Sequence, residues 1–320
     1  MNGKRAVGFL ALTCMSGALF YNTLVTALPL NTTVTVLMTI ACAGLLHGLY
    51  LEKDLLYAGG GPAGFAIADL KAFLAVVVGS LVSYYLNVTL GLGAVLGASL
   101  VGLVGAVVAP AYGPPLYCGS FVGMASPTVL RFPAFLLAIV GAGIIYVLAQ
   151  DVFNGYGGKL GTIACAGCCL ASLVSGSTFL SSPVSSWEGA WPSILVATAA
   201  AVLSYVINVR LACGGVMGSA LVGVVGGIVL PALVPSEGIP GIGVTLATAC
   251  LCGSFTGMSG KNRISHVALM ALAGSLTGLV FVYSAPAMAG AGGKLGTTAF
   301  GSAIAVSALT RVFSKLVKPS

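Results

Sequence analysis

Charge is what this chain has least of. Only 6% of its 320 residues are charged, six of them acidic, and it holds two histidines and two tryptophans. No carboxylate pair, Ser/His/Asp set or ligand cluster can be assembled from so few groups, so the sequence predicts no enzyme, no cofactor and no metal centre. Nucleotide chemistry is equally poorly supplied. A phosphate-binding loop needs a glycine six residues before its lysine and Ser or Thr directly after it. Around Lys159 and Lys294 those places hold Phe153, Met288, Leu160 and Leu295, so ATP binding is excluded.

Cysteine is not scarce, but its pattern is unhelpful to a disulfide framework: nine is an odd number, and most lie in apolar runs. Cys165-x-x-Cys168-Cys169 and Cys250-x-Cys252 could offer soft thiolates to a metal. No second CxxC or ligand histidine accompanies them, and the duplicated positions described below read Phe300, Ala303 and Ile304, so they are read as packing residues. The formal charge of +7 comes from basic residues scattered singly between apolar segments, which argues against a nucleic-acid partner. They are topology signals instead. Lys4 and Arg5 precede the first apolar run, and Arg311, Lys315 and Lys318 follow the last, which predicts both termini on the cytoplasmic side.

What the chain has in abundance is apolar length. Hydrophobic residues make up 58% of it and mean hydropathy is +1.09. The runs match the roughly 17 to 25 residues of a bilayer-crossing helix and lack the alternation of an outer-membrane barrel. The first run continues past Leu28 without a small-residue cleavage site, so it is read as a membrane segment and not a signal peptide. Forty-six glycines imply close helix packing. The expectation is an all-α polytopic protein of a bacterial inner membrane with about ten to twelve helical segments, its partners being the lipid bilayer and a small-molecule or ion substrate. Its glycine-ridged apolar surfaces also permit a homo-oligomer.

The chain is also duplicated. Gly157-Gly158-Lys159-Leu160-Gly161-Thr162 recurs unchanged as Gly292-Gly293-Lys294-Leu295-Gly296-Thr297. From Ser83 and Tyr84 through Asn87, Gly93, Gly97, Gly102 and Gly105 to Pro110, residues recur 121 positions later, from Ser204 and Tyr205 through Asn208 to Pro231. Cys118-Gly119-Ser120-Phe121-Val122-Gly123-Met124 returns as Cys252-Gly253-Ser254-Phe255-Thr256-Gly257-Met258, the extra residues falling near Ser236-Glu237-Gly238. Self-similarity of this length marks two halves, a common transporter design. The division predicted is N-terminal transmembrane helices over 1–56, a first repeat over 57–175, a polar connecting loop over 176–190 and a second repeat over 191–320. Tyr112 to Leu130 is short for a crossing and rich in proline and glycine, which predicts a re-entrant half-helix. The repeats are then inverted, and on that reading Lys261 and Arg263 lie outside, against the positive-inside bias. Gly60-Gly61-Pro62-Ala63-Gly64 echoes the GGKLGT element without its lysine.

At each GGKLGT a glycine pair opens a helix whose first N–H groups lack intrahelical partners, a setting that attracts anions. A lysine at membrane depth costs roughly 2.5 to 3.5 kcal/mol, so two at matched places mark a candidate site, although either could snorkel to an interface. The candidate substrate-binding set is Gly158, Lys159, Thr162, Gly293, Lys294 and Thr297 from the two helix starts, with Gly119, Ser120, Phe121, Gly253, Ser254 and Phe255 from the two CGSFxGM elements. In these the serines offer hydrogen bonds, the phenylalanines a constriction, and the Gly-x-x-x-Gly spacing an alternative role in helix contact. The function expected is a transporter or channel for a small solute, a small anion by the chemistry of the helix starts. Two alternatives stand: a passive channel for a neutral solute and a non-transporting scaffold subunit. The arrangement is similar to that of inverted-repeat families such as urea channels, whose signature residues are absent, so the likeness extends to architecture alone.

Overall fold

Apolar runs of this kind can satisfy their backbone groups in lipid only within helices or closed barrels, and the chain takes the helical solution. The computed structural model describes residues 3–56, 64–234 and 241–317. The extra residues around Ser236 and most of the echo at Gly60 lie outside them. Twelve α-helices are described: α1 (Gly3–Ala27), α2 (Thr32–Lys53), α3 (Ile67–Tyr84), α4 (Ala94–Val108), α5 (Gly113–Val122), α6 (Phe132–Ala149), α7 (Lys159–Ser175), α8 (Trp187–Tyr205), α9 (Gly215–Leu233), α10 (Ile242–Thr256), α11 (Val267–Tyr283) and α12 (Lys294–Val317). Among the described residues six spans are long and apolar enough to cross a membrane: Gly3–Ala27, Thr32–Lys53, Ile67–Thr89, Phe132–Ala149, Trp187–Arg210 and Gly215–Leu233. These helices are compatible with an integral membrane protein of helical type.

Helix boundaries follow local chemistry. Asn31 caps α2 by accepting from the Val34 amide, and Ser186 caps α8 by accepting from Gly189. Pro133 sits in the first turn of α6, where its missing N–H costs nothing. α5, only ten residues long, carries Pro114 and Pro115 in its first turn. α8 begins at Trp187, four residues before the expected start of its segment.

Two features recur along the chain. Five-residue π-helical turns follow α3 (Tyr85–Thr89) and α8 (Val206–Arg210). Each carries an asparagine, Asn87 or Asn208, whose amide donates to the carbonyl of Gly123 or Gly257 at 3.1 Å. Positive φ angles at Phe153, Gly155 and Gly158 return at Met288, Gly290 and Gly293. Phe153 and Met288 are non-glycine residues held in this region, which requires support from the surroundings.

Ion pairs identify one end of the molecule. Lys4 binds Asp69 at 2.8 Å, Arg5 lies 3.5 Å from Asp151, and Arg263 pairs with Glu52 through both nitrogens, the longer contact being 3.0 Å. The start of α1, the end of α2, the start of α3, the end of α6 and the approach to α11 therefore lie together at what is here termed the proximal end. Arg263, which the inverted arrangement led us to expect outside, thus lies at the same end of the molecule as the start of α1. At the distal end Ser126 donates its amide to Gly290 O, and Leu180 bridges to Ala289.

Candidate functional site

The site is built where the two GGKLGT elements meet. α7 starts at Lys159 and α12 at Lys294, and the two helices run antiparallel with their first turns overlapping. A Cβ added to Gly161 would sit 2.6 Å from the Gly296 Cα, and one added to Gly293 would collide with the Gly161 carbonyl. Gly158 has φ +82° and Gly293 φ +81°, so both the left-handed backbone and the close approach demand glycine here. The glycines are explained by this crossing.

The CGSFxGM elements close the same centre from the other side, and they do so crosswise. Gly157 lies against the carbonyls of Phe255 and Thr256, while Gly292 lies against those of Phe121 and Val122. The N-terminus of α7 therefore meets the C-terminus of α10, and that of α12 meets the C-terminus of α5. Opposite ends of helix dipoles face each other. The Gly157 amide donates to Ser259 Oγ at 3.0 Å. Backbone contact at Gly161 and Gly296 leaves no space for a solute between the two helix starts in this conformation.

Phe121 and Phe255 are each 1% exposed and touch, their ring centroids 4.6 Å apart, with Tyr117 at 4.3 Å from Phe121. Together these rings form an aromatic plug. Ser120 Oγ turns back to Tyr117 O at 2.8 Å, and Ser254 Oγ to Leu251 O at 2.7 Å. Ser254 also shares a hydrogen bond with Ser219 at 2.9 Å, and Ser219 with the Tyr117 hydroxyl at 3.0 Å. Gly119 and Gly253 let α5 and α10 pack against the backbone of α3 and α8, at Val76 and Ala197. Cys118 and Cys252 each point a thiol at 3.3 Å to a carbonyl of GGKLGT, Leu160 and Leu295.

The two lysines occupy matched places with different surroundings. Lys159 Nζ donates to Gln150 O at 3.0 Å and to Asn154 Oδ1 at 2.9 Å. Lys294 Nζ donates to Ser284 O at 2.6 Å and Ala285 O at 3.1 Å. Each ammonium thereby caps the C-terminus of the helix before its own, where the dipole favours a cation. Lys159 in addition lines a cavity of about 790 Å³ at the proximal end, together with Lys71, Tyr146, Gln150, Asp151 and Asn154, and with Gly158 and Met258 at its inner end. Thr162 Oγ1 donates to Gly158 O at 3.2 Å, whereas the buried Thr297 hydroxyl has no such bond.

Sequence reasoning missed the groups around that cavity. Arg263 Nε donates to Asn154 O at 2.9 Å, its guanidinium lies 4.3 Å from the Tyr156 ring centroid, and Tyr156 donates its hydroxyl to the 3%-exposed Glu52 at 3.4 Å. The loop before Lys159 is thus clasped to α2 by a buried ion pair. The sequence places these residues 211 positions apart, and nothing local in it joins Glu52 to Arg263. Comparisons with protein-family models, curated proteins and solved structures give no match.

Proposed function

We propose that this protein carries a small anion across a membrane, along a path between two inverted halves, α3 to α7 and α8 to α12. The observation that carries the reading is the convergence of both helix starts and both phenylalanines on one centre, which the cavity at Lys159 approaches from the proximal end. The inversion is supported by direction: α6 ends and α11 begins at the proximal end, while α7 and α12 leave the centre oppositely. In transporters of this design the site lies at the repeat interface near interrupted helices. Lys71 and Lys159 outnumber Asp151 in the cavity, and this excess favours an anion. In the state described, the aromatic plug closes the path, and passage requires the two phenylalanines to part. A buried lysine at such a place is a functional hypothesis in its own right.

Lys4, Arg5, Lys53 and Arg263 gather at the proximal end, and Arg131 stands at the distal start of α6, which supports a cytoplasmic proximal end with both termini. The membrane is then a bacterial inner membrane, and the protein acts without covalent chemistry.

One observation favours a second reading, a passive channel for a neutral solute: both ammonium groups are already held by oxygen atoms, and a hydroxyl chain from Tyr117 through Ser219 to Ser254 borders the plug. Purified protein in liposomes separates the two. Uptake of chloride, nitrate or formate that responds to membrane potential, and that is lost in Lys159→Ala combined with Lys294→Ala, is the expected result. Flux of urea or glycerol alone, indifferent to potential and to both substitutions, would replace the anion reading with the neutral one.

A further inference from the structure

The differences between the two halves point to a site outside the proposed path. On the proximal side of the crossing, Phe153 packs against Phe300, ring centroids 5.2 Å apart, and Phe9 stacks on Phe153 at 4.9 Å. The matched positions on the distal side are Met288 and Cys165, and there the Met288 thioether sulfur lies 3.9 Å from the Cys165 thiol. Cys169, one helical turn further along α7, lies on the same face as Cys165, whereas its counterpart is Ile304. Aromatic and aliphatic side chains therefore satisfy the packing at one crossing, and the other replaces them with three sulfur atoms.

We infer that Cys165, Cys169 and Met288 form a binding site for a soft monovalent metal ion, Cu(I) or its analogue Ag(I). Thiolate and thioether ligands select such ions over those that prefer oxygen or nitrogen. Three sulfurs around a common ion at about 2.3 Å would stand about 4.0 Å apart in a trigonal plane, close to the separation already present between Cys165 and Met288. Among the described residues no three His, Cys, Asp or Glu side chains converge, which leaves ions that need four such ligands without a site. Charge also balances. Binding releases two thiol protons to water and transfers no electron, leaving two thiolates and one monovalent cation with a net charge of −1. Lys294 follows Gly293, whose backbone packs against that of Cys165, and its positive charge compensates that net charge. Thr297, whose buried hydroxyl forms no regular hydrogen bond, lies against Cys165 and can donate to the thiolate. Met288 and Cys169 are both partly exposed, which gives the ion a way in, while Cys168 is turned toward the Gly292 backbone. The site stands independently of the transport proposal.

The test is a titration of the reduced, detergent-purified full chain with Cu(I), and in parallel with Ag(I), against a competing chelator, followed by thiolate-to-copper absorption in the ultraviolet. One equivalent should be retained by the parent protein and by Cys14→Ser and Cys213→Ser. Cys165→Ala and Met288→Leu should each weaken retention at least about tenfold, or 1.4 kcal/mol. Met288→Leu conserves volume and decides the matter if the cysteine variant fails to fold. Retention unchanged in Met288→Leu, or lost in Cys14→Ser or Cys213→Ser, overturns the assignment.

Discussion

The loop before α7 and the loop before α12 share a backbone and almost nothing else. Both pass through a positive-φ residue at Phe153 or Met288, both place a glycine pair under a carbonyl, and both end on a lysine that caps the preceding helix. Around the first lie Asn154, Arg263, Tyr156 and Glu52 with a polar cavity; around the second lie Met288 and a cysteine-bearing face of α7. The comparison separates two kinds of residue. Those repeated in both loops fix the chain, and those that differ are free to serve each loop's own surroundings.

Breaking the shared part should cost most. Gly158→Val and Gly293→Val each force a side chain into the facing helix at a left-handed φ, and each should lower stability by more than about 4 kcal/mol, seen as loss of monodisperse protein after extraction. Gly176→Ala, also at positive φ but with nothing within 4 Å, should cost only about 1 to 2 kcal/mol. If the two classes cost the same, the crossing is not what the repeated glycines serve.

Next in size is the clasp on the proximal side. Arg263→Met leaves Glu52 buried without its partner and should cost about 3 to 5 kcal/mol, read as a fall in thermal midpoint. Replacing both, as Glu52→Leu with Arg263→Met, should recover much of that loss, because no charge is then left buried. An equal loss in the double variant would mean that the pair does more than neutralise itself.

The lysines sharpen the comparison further. Lys159→Met should reduce anion uptake at least about tenfold, the worth of 1.4 kcal/mol, while Lys294→Met should reduce it less and should mainly loosen the end of α11. Equal effects would place both lysines in the path. Smallest of all, Asn87→Ala should cost about 1 kcal/mol and Asn208→Ala somewhat more, because both amides donate to a glycine carbonyl and Asn208 donates to Ser259 O as well.

Much of this arrangement was legible in the sequence for a physical reason: a membrane helix must carry its own hydrogen bonds, so long apolar runs translate directly into helices. The breaks were legible because glycine and proline interrupt those runs at Gly157, Pro114 and Gly292. Duplication pointed to Lys159, Lys294, Phe121 and Phe255 as one set, and the structure brings both phenylalanines and both helix starts to one centre. What could not be read was which partner each element meets. Nothing in GGKLGT says that Gly157 lies under Phe255 of the other half, or that the lysine ammonium turns back to the helix before it. The Glu52 and Arg263 pair was equally hidden, since each residue alone looks like an interfacial charge.

The central claim is that the path runs between the halves and is closed by Phe121 against Phe255. The most direct measurement is anion flux through Phe121→Ala combined with Phe255→Ala in liposomes, alongside parent protein of equal monodispersity. Removing both rings should raise the flux at least about tenfold, a barrier lowered by 1.4 kcal/mol or more. A correctly folded double variant whose flux equals that of the parent would contradict the account.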